Sequence, residues 1–294
     1  MRVKPGARIA FQGERGAFSE EAALELLGSE IVLVPRGSFD ATFSAIQDGS
    51  ADYVLAPMEN SLAGSVHRSF DLLVESGLHI IGEVVIPIVH NLIALPSANL
   101  AGLTSVESHP VGLAQCEQFF IANPRLKRIV TEDTAGSVRE IMRAGDTRRA
   151  AIASAHAAEL YGAAILQDHL EDDRENYTRF FLLSASNEIP SDADKISLVF
   201  QLPHTAGALQ QALAPFARRN LNLMKIESRP MRGKPWEYRF YLDLQGAAGG
   251  AATIAALEQL KDFAVDLRIL GSYKSAETAA NNAVKKETHT AGGA

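Results

Sequence analysis

Between residues 8 and 183, short apolar runs alternate with segments whose apolar side chains recur at helical spacing, and this alternation constrains the fold more than any other feature of the chain. Residues 8–12 read as a strand, Gly13 and Gly16 bracket a turn, and Ser19 opens a helix with Glu20 and Glu21 in its first turn and Gly28 at its end. A strand near 31–34 precedes a helix around 39–47 in which Phe39, Phe43 and Ile46 recur at helical spacing. A third strand, 52–56, runs into Pro57-Met58-Glu59-Asn60-Ser61 and then into a helix carrying Val66, Phe70 and Leu73. Alternation of this kind predicts an α/β fold with a mainly parallel sheet covered by helices.

The run 78–95 is β-rich and interrupted by Gly82 and Pro87, which suits strands that bend from one lobe into another. A second series follows: strand 105–108, helix 111–121, strand 128–130, helix 135–144, strand 150–153, and helix 156–161 stopped by Gly162. Residues 176–183 then read as the strand that returns to the first lobe. The expected domain, 1–188, has two lobes and a cleft, lobe one from about 1–90 plus 178–188 and lobe two from about 91–177. Ligands of open α/β sheets sit beyond the carboxyl ends of strands, which directs attention to the loops at Gly13, Pro57, His109, Asp133 and Thr178.

A polar, turn-rich stretch over 187–194 marks a domain boundary. Beyond it come strand 195–202, helix 207–219, strands 221–227 and 237–244, helix 253–262 and strand 265–270, the βαββαβ order of a ferredoxin-like module over 195–273. Pro215 predicts a kinked or shortened first helix there. From 274 to 294 there is nothing large to bury, and a disordered tail is expected.

Composition narrows the function. With 35 acidic against 28 basic side chains and a formal net charge of −7, the chain lacks the electrostatic footprint of a nucleic-acid binder, while a local patch can still attract small anions. Cys116 is the single cysteine and the histidines show no ligand spacing, so no disulfide framework and no structural metal are expected. The first apolar run is short for a signal peptide and no stretch approaches the roughly 20 apolar residues of a membrane span, which predicts a soluble cytoplasmic protein.

Several segments carry candidate chemistry. Gly13-Glu14-Arg15-Gly16-Ala17-Phe18-Ser19 puts backbone N–H groups and a guanidinium at a helix N-terminus, suited to a carboxylate or phosphate, or else forms an ordinary glycine turn. The loop 59–65 offers donors from Asn60, Ser61 and Gly64 to a ligand, or helix caps from Ser61 and Ser65. Asp133, Thr134 and Ala135 admit the same two readings. Cys116 shares a helical face with Leu113 and Phe120 and reads as core, whereas His109, at a strand end, reads as a loop or cleft residue. Asn176-Tyr177-Thr178-Arg179-Phe180 joins a hydroxyl, a permanent cation and an aromatic ring where the chain should re-enter the cleft. As an alternating strand it would put Tyr177 and Arg179 on one face and Thr178 and Phe180 on the other.

In order and together, these segments resemble the prephenate dehydratase family: GERGAFSEEAA at 13–23, PMENSLAG at 57–64, SHPVGLAQC at 108–116, DTAGS at 133–137 and NYTRFFLLS at 176–184. The C-terminal module resembles a regulatory ACT domain through Gly207-Ala208-Leu209, Asn220-Leu221 and Glu227-Ser228-Arg229-Pro230. The resemblance implies a two-lobed, periplasmic-binding-protein-like catalytic domain followed by an amino-acid-sensing domain, assembled as a homodimer or homotetramer. It implies conversion of prephenate to phenylpyruvate, carbon dioxide and water, with feedback by L-phenylalanine. The threonine held essential in the family maps to Thr178, with Arg179 and Phe180 as its companions; Asn60, Ser61 and Gly64 and then Asp133, Thr134 and Ala135 match family cleft segments. Phe18 stands where a tyrosine is frequent and Ser137-Val138 where two alanines are frequent, departures that bear on cleft shape more than on chemistry.

The residue types suit that reaction. Losing carboxylate and hydroxide together yields an aromatic ring, so the driving force lies in the substrate and no cofactor is expected. The protein must orient a dianion and help hydroxide leave, with Thr178 as donor to the leaving hydroxyl and Arg179 or Arg15 with backbone N–H groups on the carboxylates. In the second module Gly207, Ala208 and Leu209 would receive the carboxylate of an amino-acid effector, Asn220 and Leu221 would contact it from a paired domain, and residues 227–230 would couple the site to catalysis. Two alternatives share the architecture: arogenate dehydratase, which runs the same elimination on the amino-acid form, and a non-catalytic metabolite sensor. A chorismate mutase fusion is not expected, since few residues precede the first strand.

Overall fold

The computed structural model describes residues 3–231 and 233–276. Contacts divide the chain into two compact units, Met1–Ser76 with Val84–Phe181, and Gly77–Glu83 with Leu182–Ala294. The second unit therefore includes residues 77–83 and 182–188, which lie within the bounds expected for lobe one.

In the first unit the opening lobe is β1 (Ala7–Gln12), α1 (Phe18–Leu27), β2 (Ile31–Arg36), α2 (Phe39–Ser44), β3 (Tyr53–Asn60), β4 (Gly64–Ser65) and α3 (His67–Ser76). β1 lies between β2 and β3 and is parallel to both, which buries Ile9, Ala10 and Phe11 completely. The polar segment 57–60 is strand, not loop: β3 runs through Asn60 and β4 folds back on it, Glu59 opposite Ser65 and Asn60 opposite Gly64. Asn60 makes this hook itself, its Oδ1 accepting the N–H groups of Leu62 at 3.0 Å and Ala63 at 2.8 Å.

The other lobe is built on β6 (Asn91–Ala94), which follows β5 (His79–Pro87), and continues with β7 (Ser105–Ser108), α4 (Pro110–Ala114), α5 (Glu117–Ala122), β8 (Lys127–Val130), α6 (Thr134–Ala144), β9 (Arg149–Ala153), α7 (Ala155–Tyr161) and β10 (Ala164–Gln167). Its sheet runs β10-β6-β9-β7-β8, with β7 parallel to both neighbours and β6 antiparallel to both of its own. The single helix expected over 111–121 is two helices, broken at Cys116, because the Asp172 carboxylate accepts the N–H groups of Glu117 at 2.7 Å and Gln118 at 2.9 Å and starts a new helix there. Leu113, Cys116 and Phe120 nonetheless share one core with Val106 and Ile152. β11 (Tyr177–Ser184) then returns beside β3.

The second unit holds β12 (Lys195–Gln201), α8 (Ala208–Ala217), β13 (Leu223–Met231), β14 (Lys234–Gln245), α9 (Ala251–Phe263) and β15 (Asp266–Tyr273) in the sheet order β13-β14-β12-β15. This is the βαββαβ order read from the sequence. One face of β12 puts Ile196, Leu198 and Phe200 into a core with Phe216, Leu257 and Leu260. α8 ends soon after Pro215. Gly271 of β15 pairs with Ile80, so closely that a Cβ would lie 2.1 Å from the Ile80 carbonyl oxygen, and only glycine permits that approach. Residues 274–276 of the expected disordered tail are tied to the unit, Ser275 N–H donating to Asp194 at 2.7 Å and Ala276 N–H to Glu83 at 3.2 Å; the rest of that tail, 277–294, lies outside the described residues.

Candidate functional site

The first unit carries an open cavity of about 400 Å³ beyond the carboxyl ends of β1, β3 and β7, with the amino end of β11 in its wall. Thr178 and Phe180 line it from β11, while Arg179 between them faces the other way, 3.8 Å from the Glu59 carboxylate and over the Phe181 ring. The alternation read from the sequence thus puts the hydroxyl and the aromatic ring in the cavity and takes the guanidinium out of its lining.

The glycine turn after β1 does a different job from the one expected. Arg15 is not in the lining: its Nε donates to Glu20 at 2.7 Å, and its carbonyl accepts the Tyr161 hydroxyl at 2.8 Å. Glu14 pairs with Arg139 at 2.6 Å, the Gly16 carbonyl accepts the Ser154 hydroxyl at 3.1 Å, and Glu20 meets His156 at 3.1 Å. Gly16 has φ +86°, and a Cβ on it would sit 3.0 Å from the Ala157 Cα. These contacts clamp the turn of one lobe onto α6 and α7 of the other. Burial would raise the Glu20 carboxyl, but hydrogen bonds from Arg15, His156 and the Gly16 N–H outweigh it and hold the group below the usual carboxylate range.

A chain of side-chain hydrogen bonds crosses the cavity floor. Asn60 Nδ2 faces Asn176 Oδ1 at 2.7 Å, the Tyr177 carbonyl at 3.0 Å and Thr178 Oγ1 at 3.0 Å. Asn176 Nδ2 donates to Gln115 Oε1 at 3.1 Å, which also meets His90 Nε2 at 2.8 Å. Asn60 shares its two amide hydrogens among these three acceptors, and the Thr178 hydroxyl proton, with no protein acceptor among the described residues, is left to aim at a ligand. Gln115 and His109, both in the lining, add donors: Gln115 Nε2 has no protein partner among the described residues, and His109 Nδ1 accepts the Val111 N–H at 3.3 Å, leaving Nε2 as the protonated ring nitrogen. Among the described residues the lining contains no Lys, Arg, Asp or Glu, and its polar side chains are hydroxyls, amides and imidazoles.

Other sequence-predicted residues divide by role. Gly64 and Thr134 line the cavity with Asn60 and His109. Ser61 stitches the hook to β11 instead, donating to the Glu175 carbonyl at 2.6 Å and accepting the Tyr177 N–H at 2.9 Å. Asp133 caps α6 through the Gly136 N–H at 2.6 Å, and Ala135 is buried in the core behind it; neither is in the cavity lining. His90 and Gln115 were missed. Gln115 lies inside the segment SHPVGLAQC beside Cys116, but nothing in a linear pattern shows that it meets Asn176. Cys116 is fully buried and burial pushes its thiol up, so it is inert core.

Burial also holds His90 and His109 below the ordinary imidazole value, against the Gln115 bond and Glu171 for His90 and against Asp133 for His109. Between that lowered value and the unfolded one near pH 6.5, the unfolded chain binds more protons, so stability present above about pH 6.5 is lost as the pH falls through this window. Denaturant titrations at pH 7.5 and 5.5 should therefore show a smaller acid loss in His109→Gln than in the parent. Equal losses would refute the shift at this residue.

In the second unit a cavity of about 360 Å³ is lined by Ala208, Leu209, Trp236, Tyr238 and Phe240, among others. Gly207 precedes α8 with φ +82°, a conformation that favours glycine. Asn220 and Leu221 are outside that lining, Asn220 in a left-handed turn at φ +53° and Leu221 against the core. Glu227, Ser228, Arg229 and Pro230 lie on the edge strand β13, where Glu227 pairs with Lys225 at 3.1 Å and Ser228, Arg229 and Pro230 oppose Phe240, Arg239 and Tyr238.

Known proteins share this organisation. The family profile described as prephenate dehydratase matches residues 9–188, and that of the ACT domain matches 196–262. Arogenate dehydratase/prephenate dehydratase 2, chloroplastic, from Arabidopsis thaliana is 41% identical over 277 residues, covering 90% of this chain and 72% of that protein. The crystal structure of prephenate dehydratase in complex with L-Phe from Arthrobacter aurescens superposes with a TM-score of 0.83 at 28% identity, over 96% of this chain and 97% of the other. A structure described as GqqA, a novel type of quorum quenching acylase, gives a TM-score of 0.83 at 34% identity, over 91% and 98%.

Proposed function

The chain belongs to the prephenate dehydratase family, and from that premise we propose that it converts prephenate to phenylpyruvate, carbon dioxide and water, under feedback by L-phenylalanine. The observation that carries this reading is the Thr178 hydroxyl in the cavity lining, whose oxygen is engaged by Asn60 and whose proton has no protein acceptor among the described residues.

In the elimination the C–O bond to the ring hydroxyl breaks while the ring carboxylate departs as carbon dioxide, its bonding electrons completing the aromatic ring. Negative charge therefore develops on the leaving oxygen, a hydrogen bond from Thr178 strengthens as it does, and the departing hydroxide takes a proton from solvent to become water. The free amide hydrogens of Gln115 and the His109 Nε2–H are placed to orient carboxylates. With Arg15 and Arg179 engaged outside the lining, these neutral donors take the role first assigned to guanidinium groups. Phe180 supplies a flat apolar wall for the ring. The acylase chemistry of the GqqA structure is less well served, because His90 is bonded to Gln115 and His109 to a backbone N–H, rather than to a hydroxyl nucleophile.

For the ACT unit we propose that L-phenylalanine binds at the start of α8, its ring in the aromatic cavity and its carboxylate at Gly207 to Leu209, and that copies of the chain assemble through this unit. The test is turnover of the purified protein with prephenate and with arogenate, each with and without L-phenylalanine. Phenylpyruvate formation that phenylalanine suppresses is expected. A strong preference for arogenate would move the substrate assignment to the amino-acid form, and turnover of neither would overturn the enzyme reading.

A further inference from the structure

We propose that Asn176 is a positioning residue that fixes the polarity of Gln115 and His90, so that the cavity floor presents amide N–H donors to an anionic substrate. The inference rests on the dehydratase reading for its kinetic consequence, but not for its structural one.

The polarity is set step by step. Asn60 has its Oδ1 identified by the two backbone N–H groups it accepts, at 3.0 and 2.8 Å, so the atom facing Asn176 is an N–H donor. Asn176 must answer with its oxygen, at 2.7 Å, and therefore turns its NH₂ to Gln115 at 3.1 Å. Gln115 must present its oxygen to that NH₂, and the same oxygen lies 2.8 Å from His90 Nε2, which must then carry the ring proton. Direction passes in this way from the backbone of the hook after β3 to a histidine on the other lobe. Asn176 is 1% exposed and both ends of its amide are used, so no water can substitute for either bond. Two groups carry the result: Gln115 Nε2, in the cavity lining, and His90 Nδ1, buried as a bare acceptor without a protein partner among the described residues. Asn176 itself does not line the cavity, so it acts through Gln115 and not on the substrate.

Asn176→Asp tests this with almost no change of shape. The introduced carboxylate still accepts from Asn60 but cannot donate to Gln115, and two facing acceptors repel. Gln115 is expected to turn its amide over, donating Nε2–H to that carboxylate and to His90, which then moves its proton to Nδ1, while the Gln115 oxygen faces the substrate. KM for prephenate should rise about 10- to 100-fold, the loss expected when a hydrogen bond to a charged group is removed, with kcat changed much less because Asn60 still holds Thr178. The tautomer is read by ¹⁵N NMR of the imidazole without substrate: Nε2–H in the parent, Nδ1–H in the variant. A parent spectrum showing Nδ1–H overturns the proposal even if the variant does not fold, and so does a variant with unchanged KM and an unchanged tautomer. A variant with the switched tautomer but no effect on prephenate turnover would leave the positioning intact and count against the assignment of Gln115 to the substrate.

Discussion

Replacing Thr178 by valine should lower kcat for prephenate by about 10² to 10⁴, or roughly 3 to 5 kcal/mol of transition-state stabilisation, with the fold unchanged. Valine matches threonine in shape and fits a β-strand, so Phe180 should keep its place. The substitution deprives Asn60 Nδ2 of one acceptor but leaves it Asn176 Oδ1 at 2.7 Å and the Tyr177 carbonyl at 3.0 Å, enough for both its hydrogens. What is removed is the hydroxyl proton assigned to the leaving oxygen, while the Gln115 and His109 donors stay in the lining. Thr178→Ser keeps that hydroxyl and the Asn60 bond, and should retain activity within about tenfold of the parent, the loss reflecting a freer rotamer. The comparison separates chemistry from packing: serine removes a methyl and keeps the donor, valine does the reverse. Steady-state kinetics of the two variants decide the matter. A valine variant within about threefold of the parent would remove Thr178 from the reaction.

How far this site was legible in the sequence depends on the range of the interactions that build it. The facing of Thr178 and Phe180 against Arg179 follows from a period of two and was readable from five residues. Asp133 as a helix cap and Cys116 as core were readable for the same reason, since each answers to its own turn or face. The loop expected at 57–61 failed because Asn60 builds its turn with a side chain after the strand has run its full length, and strand propensity says little about polar residues that pair with a two-residue return. The guanidinium expected on the substrate failed at Arg15 for a related cause: Glu20 is five residues away and takes it, while the glycines that suggested an anion site serve the approach of Ala157. β10 was not anticipated, because half of its four residues are exposed and its partner β6 is some seventy positions earlier. His90 and Gln115 were invisible, being defined by contacts that no spacing records.

In the second unit the largest effect on stability should come from Lys195. Its ammonium lies 2.9 and 3.2 Å from the two oxygens of Glu83, with side-chain exposures of 7% and 3%. β12 explains why a lysine is there at all. Its alternate residues Ile196, Leu198 and Phe200 fill the core beneath the helices, so Lys195 and Ser197 are forced to the opposite face, which is also buried. There Ser197 donates to Asp243 at 2.5 Å and meets the Tyr273 hydroxyl at 2.6 Å, a polar layer in which every charge has a partner. Lys195→Met removes one charge and strands the other, which typically costs about 3 to 5 kcal/mol, whereas replacing both members of a buried pair is often neutral. The double variant Glu83→Gln/Lys195→Met should therefore recover most of the loss, helped by the Ala276 N–H, which can still donate to the amide oxygen as it does to Glu83 at 3.2 Å. Hydrogen exchange of the β12 and β15 amides reads this locally, with protection falling at least about a hundredfold in Lys195→Met and returning in the double variant. A single variant that loses less than about 1 kcal/mol would mean that water reaches Glu83, and that the pair contributes no more than a surface one.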